Sequence, residues 1–365
     1  MSTIKVQNIQ HTSSSTNAIA LASNGTCTAN ITNNLSHRNL IKNGAMQIFQ
    51  RGNTFTMSAT NNQVYTVDQF QHNVTSGASF ASTDSVSADH PDGFTKSLKI
   101  SPTATNTPTG SGNAGYRQKI EGGDLQHLAF GTSSAKTITL SFYAKSGSQN
   151  NGHQYGIQLR TFATSGASSD RRTVTAPFTV TSSWQRFTFT FAGNTDKDII
   201  NDTTNGLEVN WHFAAGPDDI ISAYTTWTAD TAFKTVTGQS NFLDNTNNEF
   251  YLTGVQLEVG SYATDYEFIS VGEDLARCQR YYFQGNYGAA TGNAFYGMRY
   301  GTSNSICPVH LPVTMRERPT VESLTPAGGG TLSAIYENNN VVYYYVADDT
   351  ATNVSKGDVK ISAEL

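Results

Sequence analysis

Apolar and polar residues alternate with a period of two along much of this chain. Ile138, Leu140, Phe142 and Ala144 interleave with Thr139, Ser141, Tyr143 and Lys145, and Phe187, Phe189 and Phe191 interleave with Arg186, Thr188 and Thr190. Tyr155, Ile157 and Leu159 repeat the pattern, as do Leu207, Val209, Trp211 and Phe213. Successive side chains of a strand point to opposite faces, so one-sided alternation predicts antiparallel strands with one face in a core and one in solvent. Separators rich in Gly, Ser, Asn and Pro recur between these runs, and no long helical period competes with them. Two packed antiparallel sheets, a jelly-roll-like sandwich over residues 39–268, bury such strands with the fewest elements.

The stretch Tyr251–Phe283 changes character twice. Val255, Leu257 and Val259 alternate with Gln256 and Glu258, but Phe250 and Leu252 lie on the other parity. A bulge or bend at Gly254 accounts for the switch. Ser270 and Glu273 then stand at capping-box spacing, and Leu275, Cys278 and Tyr282 follow at i, i+3 and i+7. Acids come first and arginines last, which suits the dipole of a short helix over 269–283. From 284 to 365 a second, smaller β unit is expected, with Pro308, Pro312 and Pro319 at edges or turns. Val341–Val346 is apolar on both parities and predicts a central strand or an interchain contact. Residues 1–38 scatter Ile4, Val6, Ile9, Ile19, Leu21 and Ile31 among Ser, Thr and Asn. An arm of this length cannot bury those side chains alone and needs partners. The expected class is therefore all-β, with an N-terminal arm, a sandwich, one linking helix and a C-terminal β domain.

Three blocks carry a resemblance. "LTGVQLEVG…GEDLARCQRYYF" is similar to the junction in many bacteriophage virion proteins, especially tail fibres and related appendages. There it joins a carbohydrate-binding-module-like sandwich to a small C-terminal β domain. "NLIKNGAMQIFQRG…YTVD" in Asn39–Asp68 resembles the opening of that sandwich, and "LPVTMRERPTV" in Leu311–Val321 resembles a strand and turn of the C-terminal domain. The resemblance implies a virion protein, a homotrimer built through an extended N-terminal arm that also docks on other particle proteins, and attachment to host cell-surface polysaccharide. It leaves open a decoration or connector protein of capsid or tail that touches no sugar, and a glycan-degrading fibre enzyme.

Composition narrows the partners. Only 14% of the 365 residues are charged, against roughly 25% in an ordinary soluble protein. Neutral polar groups wet the surface instead, while 17 Tyr and 19 Phe argue against disorder. The formal charge is −5, and Arg171–Arg172 is the one basic doublet of note, so nucleic-acid binding is not expected. No apolar run approaches the roughly 18 residues of a membrane span, and MSTIKVQNIQ lacks the apolar core of a signal peptide. Synthesis and folding in a host cytoplasm, followed by residence on the particle, is the expectation. Cys27, Cys278 and Cys307 are odd in number and share no paired spacing, which predicts reduced structural thiols.

Candidate chemistry is sparse. Gly110-Ser-Gly112-Asn-Ala-Gly115 has the dinucleotide spacing but lacks the strand before and helix after that a phosphate cradle needs, and reads as a loop. No GxSxG or HExxH occurs, and Glu121 with Asp124 and Asp218 with Asp219 read as strand ends or turn caps, so no enzyme is expected. Sugar binding needs an exposed aromatic face with amides or carboxylates for the hydroxyls. Trp184 and Trp211 sit in regular strands and read as core or sheet packing, which leaves Trp227, with Tyr224 nearby, as the candidate platform. No cofactor is expected beyond the structural calcium that the resemblance suggests, for which Asp244, Asn245, Asn247 and Glu249 supply hard oxygens.

Overall fold

The computed structural model describes residues 6–10, 12–13, 19–21, 23, 27–29, 36–60, 62–230, 232–285, 298–300, 304–324, 331–347 and 359–365. The alternating segments form two facing antiparallel sheets. The first has six strands in the order Gln185–Phe191, Ile138–Ser146, Phe250–Val259, Ser97–Pro102, Ser82–Ser87 and Thr54–Met57. The second has seven, in the order Thr228–Ala229, Arg172–Thr179, Gln154–Thr161, Asn205–Ala215, Asn113–Glu121, Gln71–Val74 and Val64–Tyr65. Leu98, Ile100, Leu140, Phe142 and Leu252 of one sheet meet Tyr116, Ile157, Leu159, Trp211 and Phe213 of the other in one buried core. Phe187 and Phe189, on an edge strand, are only partly covered. A polar link crosses the core: Tyr116 donates its hydroxyl to Asp84 of the opposite sheet, and both are buried.

The parity switch is a bulge, as the sequence predicts. Ser141 pairs with Gln256 and Tyr143 with Thr253, so Phe142 faces both Gly254 and Val255. Gly254 has φ +61°, and a Cβ there would come within 2.6 Å of the Phe94 ring and 2.8 Å of Tyr143. Glycine is required on both counts.

Ser270 caps the helix Val271–Gln279, its Oγ accepting from the Glu273 amide at 3.2 Å. The Glu273 carboxylate does not return to the cap; it meets His37 Nε2 at 3.0 Å. Two of the residues assigned to the apolar face need correction. Leu275 is half-exposed, and Tyr282 lies beyond the helix in the strand Tyr282–Gly285, where it pairs with Ser362. The buried helical positions are Asp274 and Cys278. Asp274 reaches the Asn43 amide at 3.0 Å, which explains a carboxylate on the inner face.

The C-terminal residues form a three-stranded sheet (Tyr282–Gly285, Val359–Ser362, Thr320–Leu324) and a four-stranded one (Met298–Tyr300, Asn304–His310, Val341–Ala347, Thr331–Glu337). Val309, Met315, Val342, Tyr344 and Ile361 make their core. Val341–Ala347 is central, as its two-sided apolarity predicts. Pro308 lies inside a strand, where it pairs with Tyr343, and the described residues of the neighbour Met298–Tyr300 pair with Asn304–Ile306.

The three quoted sequence blocks meet at one seam. Asn39 Oδ1 accepts from the Leu257 amide at 3.1 Å, and the Asn43 carboxamide donates to the carbonyls of Ile48 and Asp68. The Arg51 guanidinium lies 3.4 Å from the centre of the Tyr282 ring and 2.8 Å from Glu364. Arg280 grips Glu121 with two bonds of 2.8 Å, and the Arg316 amide donates to the Arg280 carbonyl at 2.9 Å. The N-terminal arm departs from expectation. Asn8–Ile9, Ile19–Leu21 and Cys27–Ala29 pair with one another as a small antiparallel sheet, because local ladders satisfy peptide groups that an extended arm leaves open. Val6, Ile9 and Leu21 remain exposed on it, while Ile4 and Ile31 lie outside the described residues.

Candidate functional site

The short pairing of Thr228–Ala229 with Arg172–Thr173 brings Trp227 against the turn that follows Phe191. Between them lies a cleft of about 230 Å³ lined by Trp227, Thr226, Asn194, Thr195 and Asp196, among others. The indole is one wall of this cleft rather than an open platform. Its edge meets the Phe130 ring at 5.4 Å, it packs on the sandwich core, and Nε1 donates to the Ala192 carbonyl at 2.6 Å. Asn194 is buried and fixes the turn, its Oδ1 accepting from the Asp196 amide at 3.1 Å and its Nδ2 donating to the Lys197 carbonyl at 3.0 Å. Arg172 Nε holds Asp196 Oδ2 at 2.6 Å, and the Asp196 side chain stays 59% exposed, so a polar ligand can reach it. An aromatic wall, hydroxyls and a presented carboxylate can together hold the apolar and polar sides of one small polyol ring.

Tyr224 does not line this cleft. Its backbone is bonded to Thr175 in both directions, at 2.8 and 3.0 Å, and its hydroxyl donates to Asp230 at 3.2 Å. Asn194 and Asp196 were not singled out from sequence. Gly193-Asn194-Thr195-Asp196 signals a turn directly after a regular strand, but nothing in that composition points to the cleft. Of the two readings for the strand tryptophans, core and sheet packing, each applies to one of them. Trp211 is fully buried, but Trp184 lies partly exposed at a strand end, where Nε1 donates to Asp89 at 2.9 Å. A charged partner at the rim keeps the indole from turning inward.

The outer face of the seven-stranded sheet, expected in solvent, is covered. Glu208, Asn210, His212, Gln158, Arg117 and Arg160 all point outward from adjacent strands and are all buried. Glu208 takes Arg160 at 2.7 Å and Arg117 at 3.4 Å. Burial opposes its charge, yet the two guanidinium groups overcome that and hold the carboxyl below its usual range. Burial, helped by Arg160, pushes His212 down to about 3, and burial with Arg117 pushes Lys119 down to about 8. The cover is the chain's own segment after Pro217. Phe233 lies 4.1 Å from the Arg160 guanidinium carbon, Gln158 donates to the Ala232 carbonyl at 3.2 Å, and Gln239 donates to the His212 carbonyl at 2.9 Å.

Of the oxygens proposed for calcium, both of Glu249 and one each of Asp244 and Asn245 are engaged by protein donors. Lys99 sits 2.6 Å from Glu249 Oε1 and the Tyr251 hydroxyl donates to Oε2 at 2.9 Å. Asp244 accepts from Asn248, and Asn245 accepts from the Asn247 amide, each at 2.9 Å. These four residues do not fit a calcium shell, since hard-ion ligands must turn several free oxygens to one point. Among the described residues no three His, Cys, Asp or Glu side chains converge as a metal site. Gly110–Gly115 is a loop running into the strand Asn113–Glu121, with no helix after it. A Cβ at Gly115 would come within 2.1 Å of the Trp211 carbonyl oxygen, so that glycine serves close strand packing. Of the acid pairs, Glu121 is held by Arg280 and Tyr281, Asp124 by Lys42 at 3.0 Å, and Asp219 by Lys234 at 3.1 Å.

No family model and no curated protein matches the chain. Among solved structures, the chain is similar over 61% of its length to the enzymatically active domain of tailspike protein 4 from bacteriophage CBA120, with 11% identity and a TM-score of 0.31. It spans only 21% of that chain. A putative sugar-binding protein from Bacteroides thetaiotaomicron is matched over 100% of its length and 61% of this chain, at 12% identity and a TM-score of 0.32. A family 11 carbohydrate-binding module from Clostridium thermocellum is matched over 98% of its length and 58% of this chain, at 11% identity and a TM-score of 0.30. Likeness at this level leaves function to the geometry of the chain itself.

Proposed function

We propose that this chain is a bacteriophage virion appendage of the tail-fibre type, trimeric through its N-terminal arm, which attaches to host surface glycan by seating a sugar ring in the Trp227 cleft. The cleft carries this reading: a tryptophan wall beside hydroxyls, a fixed turn and a presented carboxylate, in a volume of about 230 Å³. The virion assignment is supported by the three resembling blocks, and the trimer by apolar side chains left exposed on the arm. Binding rather than cleavage is favoured because the acid pairs are tied to cations and a tyrosine instead of flanking a common cleft.

The test is titration of the full-length protein with host envelope polysaccharide, beside Trp227→Ala and Trp227→Phe. The alanine variant should lose binding roughly tenfold per site, amplified on the particle by avidity, while phenylalanine keeps part of it. Because Trp227 packs on the core, melting of each variant is measured in parallel. Equal binding by folded Trp227→Ala, or none by the parent, would overturn the reading. One observation favours a second reading, a connector or decoration protein without sugar binding: the seven-stranded sheet face is covered by the chain itself. Absent polysaccharide binding, with the protein still required for particle assembly, is the outcome that reading expects.

A further inference from the structure

A larger cleft, about 450 Å³, opens where the linking helix meets the sandwich. Its walls bring Lys42 from the opening segment, Asp124 and His127 from the short helix Gly122–Leu128, and Arg277 and Arg280 from the end of the linking helix. Three cations thus face one carboxylate. Lys42 is spoken for by Asp124 at 3.0 Å, and Arg280 turns two nitrogens to Glu121. Arg277 differs. Its guanidinium donates to the Asn39 carbonyl at 3.1 Å and, among the described residues, has no carboxylate within ion-pair range. Cations at a helix C-terminus offset the dipole, which accounts for two arginines there but not for a lysine and a histidine gathered from other elements around the same space. His127 is exposed and makes no hydrogen bond or ion pair among the described residues. The volume lies in the range of small-ligand sites, and a guanidinium fork matches a carboxylate or phosphate in two parallel bonds.

We propose that this cleft binds an anionic group, the carboxylate of a uronic acid or a phosphate ester, with Arg277 as the principal donor and Lys42, Arg280 and His127 flanking it. The inference is separate from the Trp227 reading, since the two clefts share no lining residue. Being electrostatic and partly exposed, the binding weakens as salt rises.

The experiment titrates the full chain with glucuronate, inorganic phosphate and, as neutral control, glucose, in low and in high salt. Saturable binding of glucuronate or phosphate in the millimolar range, absent for glucose and weakened by salt, is expected. The anion that binds tells which source the cleft is built for. His127→Glu places a carboxylate in the cleft without removing any described hydrogen bond and should weaken the anion about tenfold, and Arg277→Gln should weaken it at least as much. No saturable binding of either anion below about 50 mM, equal binding of glucose, or parent-like binding by both variants overturns the proposal.

Discussion

Asp84 lies wholly inside the sandwich, where Tyr116 from the opposite sheet donates to one carboxyl oxygen. Burial pushes this carboxyl from 3.8 up to about 7, against the opposing hydrogen bond from Tyr116. The sign follows from linkage. A raised folded-state value contributes stability that is complete below the unfolded value and is lost as pH rises through about 7. Asp84→Asn removes the titration and keeps the shape. Relative to the parent, it should gain about 2 kcal/mol at pH 5 and about 4 kcal/mol at pH 8, from the separation of the two values at 1.36 kcal/mol per unit. The carboxamide leaves a buried N–H₂ without a partner, a cost of about 1–3 kcal/mol that does not vary with pH. The decisive quantity is therefore the difference between the two pH values, about 2–3 kcal/mol. Glu364, also raised to about 7 by burial, is present in both proteins and cancels. Urea unfolding followed by fluorescence of the buried Trp211 supplies the measurement. Parallel stability profiles for parent and variant from pH 5 to 8 would refute the reasoning, as would a gap that narrows toward pH 8.

Gly254→Ala should lose about 2–4 kcal/mol in urea unfolding, combining a left-handed backbone with a methyl forced against Phe94 and Tyr143. Glu208→Gln should lose about 3–5 kcal/mol at neutral pH because the buried Arg160 and Arg117 lose the carboxylate they share. Since the Glu208 carboxyl is held low in the folded state, its contribution is present above the unfolded value near 4.5 and fades as pH falls through the lower folded one, so the gap should close in acid. Leu275→Asp should cost only about 1 kcal/mol, because the position is half-exposed. Light scattering of the full-length protein should give a trimer, and deletion of residues 1–38 should weaken it; a full-length monomer at micromolar concentration would refute the assembly.

Much of the fold was legible because one-sided burial writes itself into a strand as alternation. Leu140 and Phe142, or Val209 and Trp211, could face only inward, and the broken parity around Gly254 had no cheaper explanation than a bulge. The capping serine was legible for the same local reason. What escaped depends on partners distant in sequence. Arg117, Arg160 and Glu208 look like a solvated face one strand at a time; they are buried because adjacent strands place the charges together and residues after Pro217 close over them. Tyr282 kept helical spacing but was claimed by a strand from the far end of the chain. At the Trp227 cleft, the aromatic was visible and its polar companions were not, since Asn194 and Asp196 reach it through a turn whose composition resembles every other turn in this chain.

Cys278 is buried on the inner side of the linking helix, and burial raises its thiol well above the usual value, with Asp68 and Asp274 adding to the effect. In the closed protein it is thus nearly inert to thiol reagents, because the thiolate is the reacting form. Its reactivity becomes a clock for opening of the seam. With Cys27 and Cys307 replaced by serine, the labelling rate of Cys278 reports how often the helix lifts from between the sandwich and the C-terminal sheets. A rate that slows when the protein is incorporated into a particle would show that assembly clamps this joint, and a rate that quickens on ligand binding would show that a signal passes through it.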